Sequence, residues 1–107
     1  MRTIQLPGYI KPTFVNLIVW LEGEANYTRV HYQNGTNSLV TKPLNHFEQY
    51  ACFVRVHRSA MVNSMYVHGF INNNNGRSGL LQLVDGKSVP VSRAHLQLVT
   101  NLFSVSH

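Results

Sequence analysis

Apolar positions in this chain come in short blocks separated by turn residues, and most blocks are too short for helices. Residues 1–6 fit a first strand, ended by Pro7-Gly8. Residues 9–14 contain Pro12 and fit a loop or an irregular edge. Residues 15–21 (VNLIVWL) are almost continuously apolar with β-branched members, which predicts a buried strand. Residues 22–26 (EGEAN) are too polar for a core and predict a loop at the end of the sheet. Residues 27–32 alternate as a strand with one wet face does. Asn34-Gly35 predicts a hairpin turn, with residues 38–41 as the return strand.

The second half repeats this grammar with two interruptions. Pro43 suits a helix start, and Leu44, Phe47 and Tyr50 recur at i, i+3 and i+6. A short helix over residues 43–50 follows, with Thr41 near its cap. The stretch Phe53-Val54-Arg55-Val56-His57-Arg58-Ser59-Ala60-Met61-Val62-Asn63 then organises the chain. Phe53, Val54 and Val56 face or edge a core, and Arg55 points to water. His57, Arg58 and Ser59 place three polar groups where the strand ends. Ala60, Met61 and Val62 return to the core, and Asn63 ends the segment through side-chain hydrogen bonds. Residues 65–71 read as a strand, and residues 72–76 (NNNNG) as a loop. Residues 80–84 and 87–91 flank Asp85-Gly86 as a second hairpin. Ser92 caps a final helix over residues 93–102, with Leu96, Val99 and Leu102 on one face. The expectation is one mainly β, antiparallel domain over residues 1–107, built from small sheets with two short helices.

Composition narrows the function. The 107 residues are enough for one real core, and 44% hydrophobic content makes the chain globular. Only 12% of residues are charged, but nine Lys and Arg stand against four Asp and Glu, a formal charge of +5. Six of the nine bases are Arg (Arg2, Arg29, Arg55, Arg58, Arg77 and Arg93), and three are Lys. That excess favours specific bidentate contacts to an anionic partner, nucleic acid first. The single Cys52 cannot close an internal disulfide, reads as a small hydrophobe, and suits a reducing cytoplasm. No signal peptide and no membrane-spanning apolar run is visible. The six histidines lack HxH, HxxH or HExxH spacing, four carboxylates leave few acid–base candidates, and no GxSxG or phosphate-binding glycine loop occurs. Neither an enzyme nor a metal, cofactor or small-molecule site is expected.

The run FVRVHRSAMVN closely resembles the signature of the LytTR family, the DNA-binding domains of LytR/AlgR-type bacterial response regulators. Two further stretches match in the same order: Leu21-Glu22-Gly23-Glu24-Ala25-Asn26-Tyr27 upstream and Val89-Pro90-Val91-Ser92-Arg93 downstream. The resemblance covers about residues 14–102. It implies an elongated, mostly β domain that grips double-stranded DNA through loops, as a transcriptional regulator. It also implies two copies bound at directly repeated sites. The family usually joins this domain to a receiver bearing a phosphorylated aspartate, in two-component systems, or to a membrane sensor. A chain of 107 residues has room for neither.

The resemblance places a base-reading side chain at Arg58, and Arg is the commonest reader of guanine O6 and N7. The plain alternative is a solvated Arg after a strand. Arg93 matches a family arginine that contacts DNA. It stands at a helix start, where the helix dipole disfavours a cation; the alternative is a salt bridge to Asp85 or a glutamate. The first loop enters a DNA groove in the family. Its tip maps to Asn26, able to read adenine, and to Tyr27, which could hold phosphate or simply begin a strand as a core aromatic. Arg29 stands just behind and is likewise a candidate for holding phosphate. Glu22 and Glu24 argue the other way, since carboxylates repel phosphate; the alternative for Glu22 is a structural role, hydrogen-bonding backbone or pairing with an Arg. His57 matches the signature histidine and either locks the turn or touches DNA; Ser59 is a candidate phosphate contact. Lys42, Arg55 and Lys87 are candidates for holding the backbone. The expected function is sequence-specific major-groove reading from loops. The alternative is a protein-interaction module on the same fold.

Overall fold

The structure is a computed structural model and describes residues 2–72 and 78–103. It holds three antiparallel sheets. Strands β1 (Thr3–Ile4) and β2 (Thr13–Phe14) form a small pair at the start. Strands β3 (Ile18–Glu24), β4 (Tyr27–Tyr32), β5 (Asn37–Val40), β6 (Phe53–His57) and β7 (Ala60–Asn63) form the central sheet, in the order β5-β4-β3-β7-β6. Strands β8 (Val67–Asn72), β9 (Gly79–Leu83) and β10 (Ser88–Val91) form the third sheet as β10-β9-β8. Helix α1 (Leu96–Phe103) follows. The whole is elongated, 45 × 28 × 23 Å.

The central sheet has apolar side chains on both faces, so its strands bury two cores. On one side Ile18, Leu21, Val30, Val40, Phe53 and Met61 pack with Ile4, Leu6 and Phe47. On the other, Val19, Val56, Ala60 and Val62 meet Leu81, Leu83, Val89, Val91 and Val99. This is why residues 18–21 read as a continuous apolar run rather than an alternating one. Ile18 and Leu21 serve the first core and Val19 and Trp20 the second, with a register shift between Ile18 and Trp20.

Several boundaries differ from the sequence reading. The strand predicted over residues 15–21 begins as a 3-10 turn, Val15–Leu17, and becomes extended only at Ile18. The predicted loop over residues 22–26 shrinks to Ala25 and Asn26, because β3 continues to Glu24, paired with Tyr27. Polar composition misled there: those side chains lie on a surface where cross-strand partners satisfy them. The helix predicted over residues 43–50 is a 3-10 segment, Leu44–Gln49, without a side-chain cap. The i, i+3 spacing of Leu44 and Phe47, both buried, suits three residues per turn better than 3.6. Residues 64–66 are likewise a 3-10 turn ahead of β8. The final helix opens as a 3-10 turn, Arg93–His95, and is α-helical from Leu96. Ser92 forms no side-chain cap bond to the backbone there. Of the predicted 72–76 loop, Asn72 ends β8 and residues 73–76 lie outside the described residues, as does Arg77.

Asn63 does what its type suggested. Its Oδ1 accepts the Met65 N–H at 3.2 Å and starts the 3-10 turn. Its Nδ2 donates to the carbonyls of Val15 at 3.1 Å and Ile18 at 2.9 Å. One buried amide thereby ties the end of β7 to the start of β3.

Candidate nucleic-acid interface

Three turns are tied together at one end of the molecule. The first joins β3 to β4 through Ala25 and Asn26, with Glu24 opposite Tyr27. Ala25 has φ +56°, the left-handed region that a two-residue hairpin turn normally gives to glycine. The second joins β6 to β7 through Arg58 and Ser59, with His57 opposite Ala60. The pairing register shifts between Arg55 and His57, so Val56 forms a bulge just before the turn. The third is the bend from β10 into the Arg93–His95 turn. The Gly23 N–H donates to the Ser59 carbonyl at 2.8 Å, which binds the first turn to the second. The Ser92 N–H donates to the Val56 carbonyl at 3.0 Å, which binds the third to the second. A shallow groove of about 330 Å³ runs between Gly23 and Ala25, Pro43 and Asn45, and Arg58 and Ser59.

The second turn is held from within. The Ser59 backbone N–H donates to His57 Nδ1 at 3.2 Å, and the Ser59 hydroxyl lies 2.9 Å from the same nitrogen. Accepting that amide hydrogen needs the lone pair of Nδ1, which the Nε2–H tautomer offers. His57 thus locks the turn, one of its two expected roles. Arg58 itself is exposed. Among the described residues, the guanidinium groups of Arg58 and Arg93 have no hydrogen-bond or ion-pair partner, so the salt bridge considered for Arg93 does not form.

The acids of the first hairpin both have side-chain partners, and Glu24 has a cationic one. Arg29 Nε meets Glu24 Oε2 at 2.5 Å and Nη2 meets Oε1 at 3.2 Å, while Nη1 donates to Asn37 Oδ1 at 2.8 Å. The hydrogen-bonded guanidinium holds the Glu24 carboxyl below the usual carboxylate range. Glu22 Oε1 lies 3.0 Å from His31 Nε2, and the His31 ring stacks on Trp20 with centroids 4.3 Å apart. Arg29 is therefore committed to its own sheet, while Asn26 and Tyr27 are exposed at the tip.

A family model for the LytTr DNA-binding domain matches residues 10–104. The chain belongs to the LytTR DNA-binding domain family. Among solved structures, a LytTr DNA-binding domain from a Bacillus cereus protein titled as a methyl-accepting/DNA response regulator superposes with a TM-score of 0.77. That match covers 97% of this chain and 96% of that one, at 22% identity, and so speaks for the fold. Comparison with curated protein sequences gave no match. Among the described residues, no helix of this LytTR domain is long and apolar enough to cross a membrane.

Two sequence expectations are corrected by the geometry of the LytTR domain. Arg55 does not point to water. Its Nη1 donates to the Arg58 carbonyl at 2.7 Å and its Nη2 to Glu48 Oε1 at 2.9 Å. Lys87 lies on the wrong side to join the three turns. It approaches the Trp20 ring at 6.0 Å, beside Gly35 and Thr36, at the opposite end of β4 from Tyr27. Sequence reasoning missed Glu48 and His95. Glu48 reaches Arg55 from another element, and His95 lies within electrostatic reach of Arg55 and His57; no local pattern announces either link.

His95 gives this LytTR domain a pH signature. Its Nδ1 lies 2.8 Å from Ser92 Oγ. Burial depresses its pKa below 6.5, and the electrostatic influence of the nearby Arg55 and His57 adds to this against the weaker opposing pull of Glu48. The unfolded chain then binds a proton more readily than the folded one below the ordinary value, so this contribution is complete above about pH 6.5 and is lost as pH falls through the folded pKa. The expected result is a larger drop in melting temperature between pH 7.5 and 5.5 for the parent than for His95→Gln. Parallel pH profiles would contradict it.

Proposed function

We propose that this LytTR domain reads specific sequences of double-stranded DNA through the major groove with its turns, not with a recognition helix. The observation that carries the reading is the joining of three turns by the Gly23–Ser59 and Ser92–Val56 hydrogen bonds, with the unpaired guanidinium groups of Arg58 and Arg93 on two of them. Arg58 reads guanine, and Arg93 reads or holds from the third turn. Asn26 reads adenine from the first turn. Tyr27, Ser59 and Lys42 hold phosphates. His57 fixes the turn, and Arg29 neutralises Glu24 beneath Asn26. Lys42 sits close to this end, its carbonyl accepting the Thr28 hydroxyl at 2.8 Å.

The protein-interaction alternative draws its support from the modest net charge and from the acids of the first loop. The ion pair of Glu24 with Arg29 weakens the second of these grounds and leaves the first. Selection of bound duplexes from a random pool tests the reading. Enrichment of one short motif is expected, and two copies spaced by about 10 base pairs would mark paired binding along one face of the duplex. Failure to retain any duplex even at low salt would instead favour the interaction module.

A further inference from the structure

Arg58 can discriminate bases only if its backbone is held still, because a bidentate contact depends on the direction from which the guanidinium arrives. Its own side chain contributes nothing to that. The turn's N-terminal side is closed by His57, whose ring nitrogen takes the Ser59 N–H. The far side depends on a group outside the turn. Arg55 reaches forward from β6, and one arm of its fork meets the Arg58 carbonyl at 2.7 Å. The other arm meets Glu48 at 2.9 Å, on the 3-10 segment between β5 and β6. The Arg55 side chain is 20% exposed, its Nε is buried without a partner, and the Glu48 side chain is 54% exposed. So an acid anchored on a separate element holds a guanidinium, and that guanidinium holds the peptide that carries Arg58.

We propose that Arg55 and Glu48 are positioning residues for base reading: they set the aim of Arg58 and touch no DNA themselves. This rests on the DNA reading above. The arrangement has a chemical signature. Arg spans two acceptors with one rigid fork, which a flexible ammonium does not reproduce. A phosphate contact, by contrast, needs only the positive charge. Arg55→Lys therefore separates the two roles, because it keeps the charge and loses the fork. Glu48→Gln keeps the shape and removes the anchoring charge.

The test uses the selected duplex and a scrambled one, titrated across a salt series with the parent, Glu48→Gln, Arg55→Lys, Arg55→Ala and Arg58→Ala. For Glu48→Gln and Arg55→Lys, the ratio of selected to scrambled affinity should fall about tenfold, with scrambled affinity and salt slope unchanged. In the Arg58→Ala background, adding Arg55→Lys should change the ratio no further, since the effect runs through Arg58. If Arg55→Ala lowers the salt slope by about one and leaves the ratio intact, Arg55 is a phosphate contact and the assignment is overturned. Unchanged ratios in folded Glu48→Gln and Arg55→Lys overturn it equally. Should the Arg55 variants melt early, the exposed Glu48→Gln decides alone. If the parent itself selects no duplex, the DNA reading fails, visible before any variant is made, and takes this assignment with it.

Discussion

Arg58→Ala should lose sequence preference while keeping the fold and most of its affinity for arbitrary DNA. Arg58 occupies a two-residue turn, is exposed, and lends only its backbone carbonyl to the structure, so removal of the side chain orphans nothing inside the protein. A bidentate guanine contact is worth about 1–3 kcal/mol of discrimination, roughly 5- to 150-fold. The loss should therefore fall on the selected duplex and be largest at one base position. Lys42→Ala is the control: a phosphate contact weakens all sequences alike and lowers the salt slope by about one. Competition titrations with single-base variants of the selected duplex make the comparison. Equal weakening of every duplex by Arg58→Ala would show that it holds phosphate and reads nothing.

The largest stability effect is expected at Asn63, far from any proposed contact. Its side chain is the shared partner of three backbone groups: the carbonyls of Val15 and Ile18 and the N–H of Met65. Asn63→Ala removes the partner of the buried Ile18 carbonyl and of the Met65 N–H, while the Val15 carbonyl keeps the Ile18 N–H. At about 1–3 kcal/mol for each of these two groups, partly offset by relaxation, the cost is about 2–4 kcal/mol. For a domain of this size that lowers the melting temperature by about 10–20 °C, a large share of a typical total of about 5–15 kcal/mol. Asn63→Asp should be worse at neutral pH, because it turns a donor into an acceptor against two carbonyls and buries a charge. Urea unfolding of both variants is the measurement. A loss below about 1 kcal/mol for Asn63→Ala would mean that water replaces the amide, and that the link between β7 and β3 is not what holds this corner.

The two predictions separate residues that one stretch of sequence places five positions apart. Arg58 and Asn63 sit in the same run, yet one serves the surface and the other the core. The run shows why: polar residues between apolar ones mark a turn, and a lone amide after three apolar residues marks a capped end. The β character of the domain was legible on the same grounds, as were the hairpins at Gly35 and Gly86, whose φ values are +87° and +89°. Local steric preference decides such turns, and local preference is written in adjacent residues.

What the chain alone determined, then, is the set of strands, the tight turns, and the three segments whose motifs mark the family. It did not determine who partners whom. Arg29 and Arg55 read as free cations because a sequence displays a charge and hides its counter-charge. Glu24 lies across a hairpin from Arg29, and Glu48 comes to Arg55 from another element. The two glutamates of the first turn looked unfavourable for a DNA contact until their cross-strand partners were in place. The two-sided burial of the central sheet, and the gathering of three turns at one end, follow from packing between strands distant in sequence. The energy that selects them belongs to contacts formed only after the chain has closed its long loops, so no local window contains it.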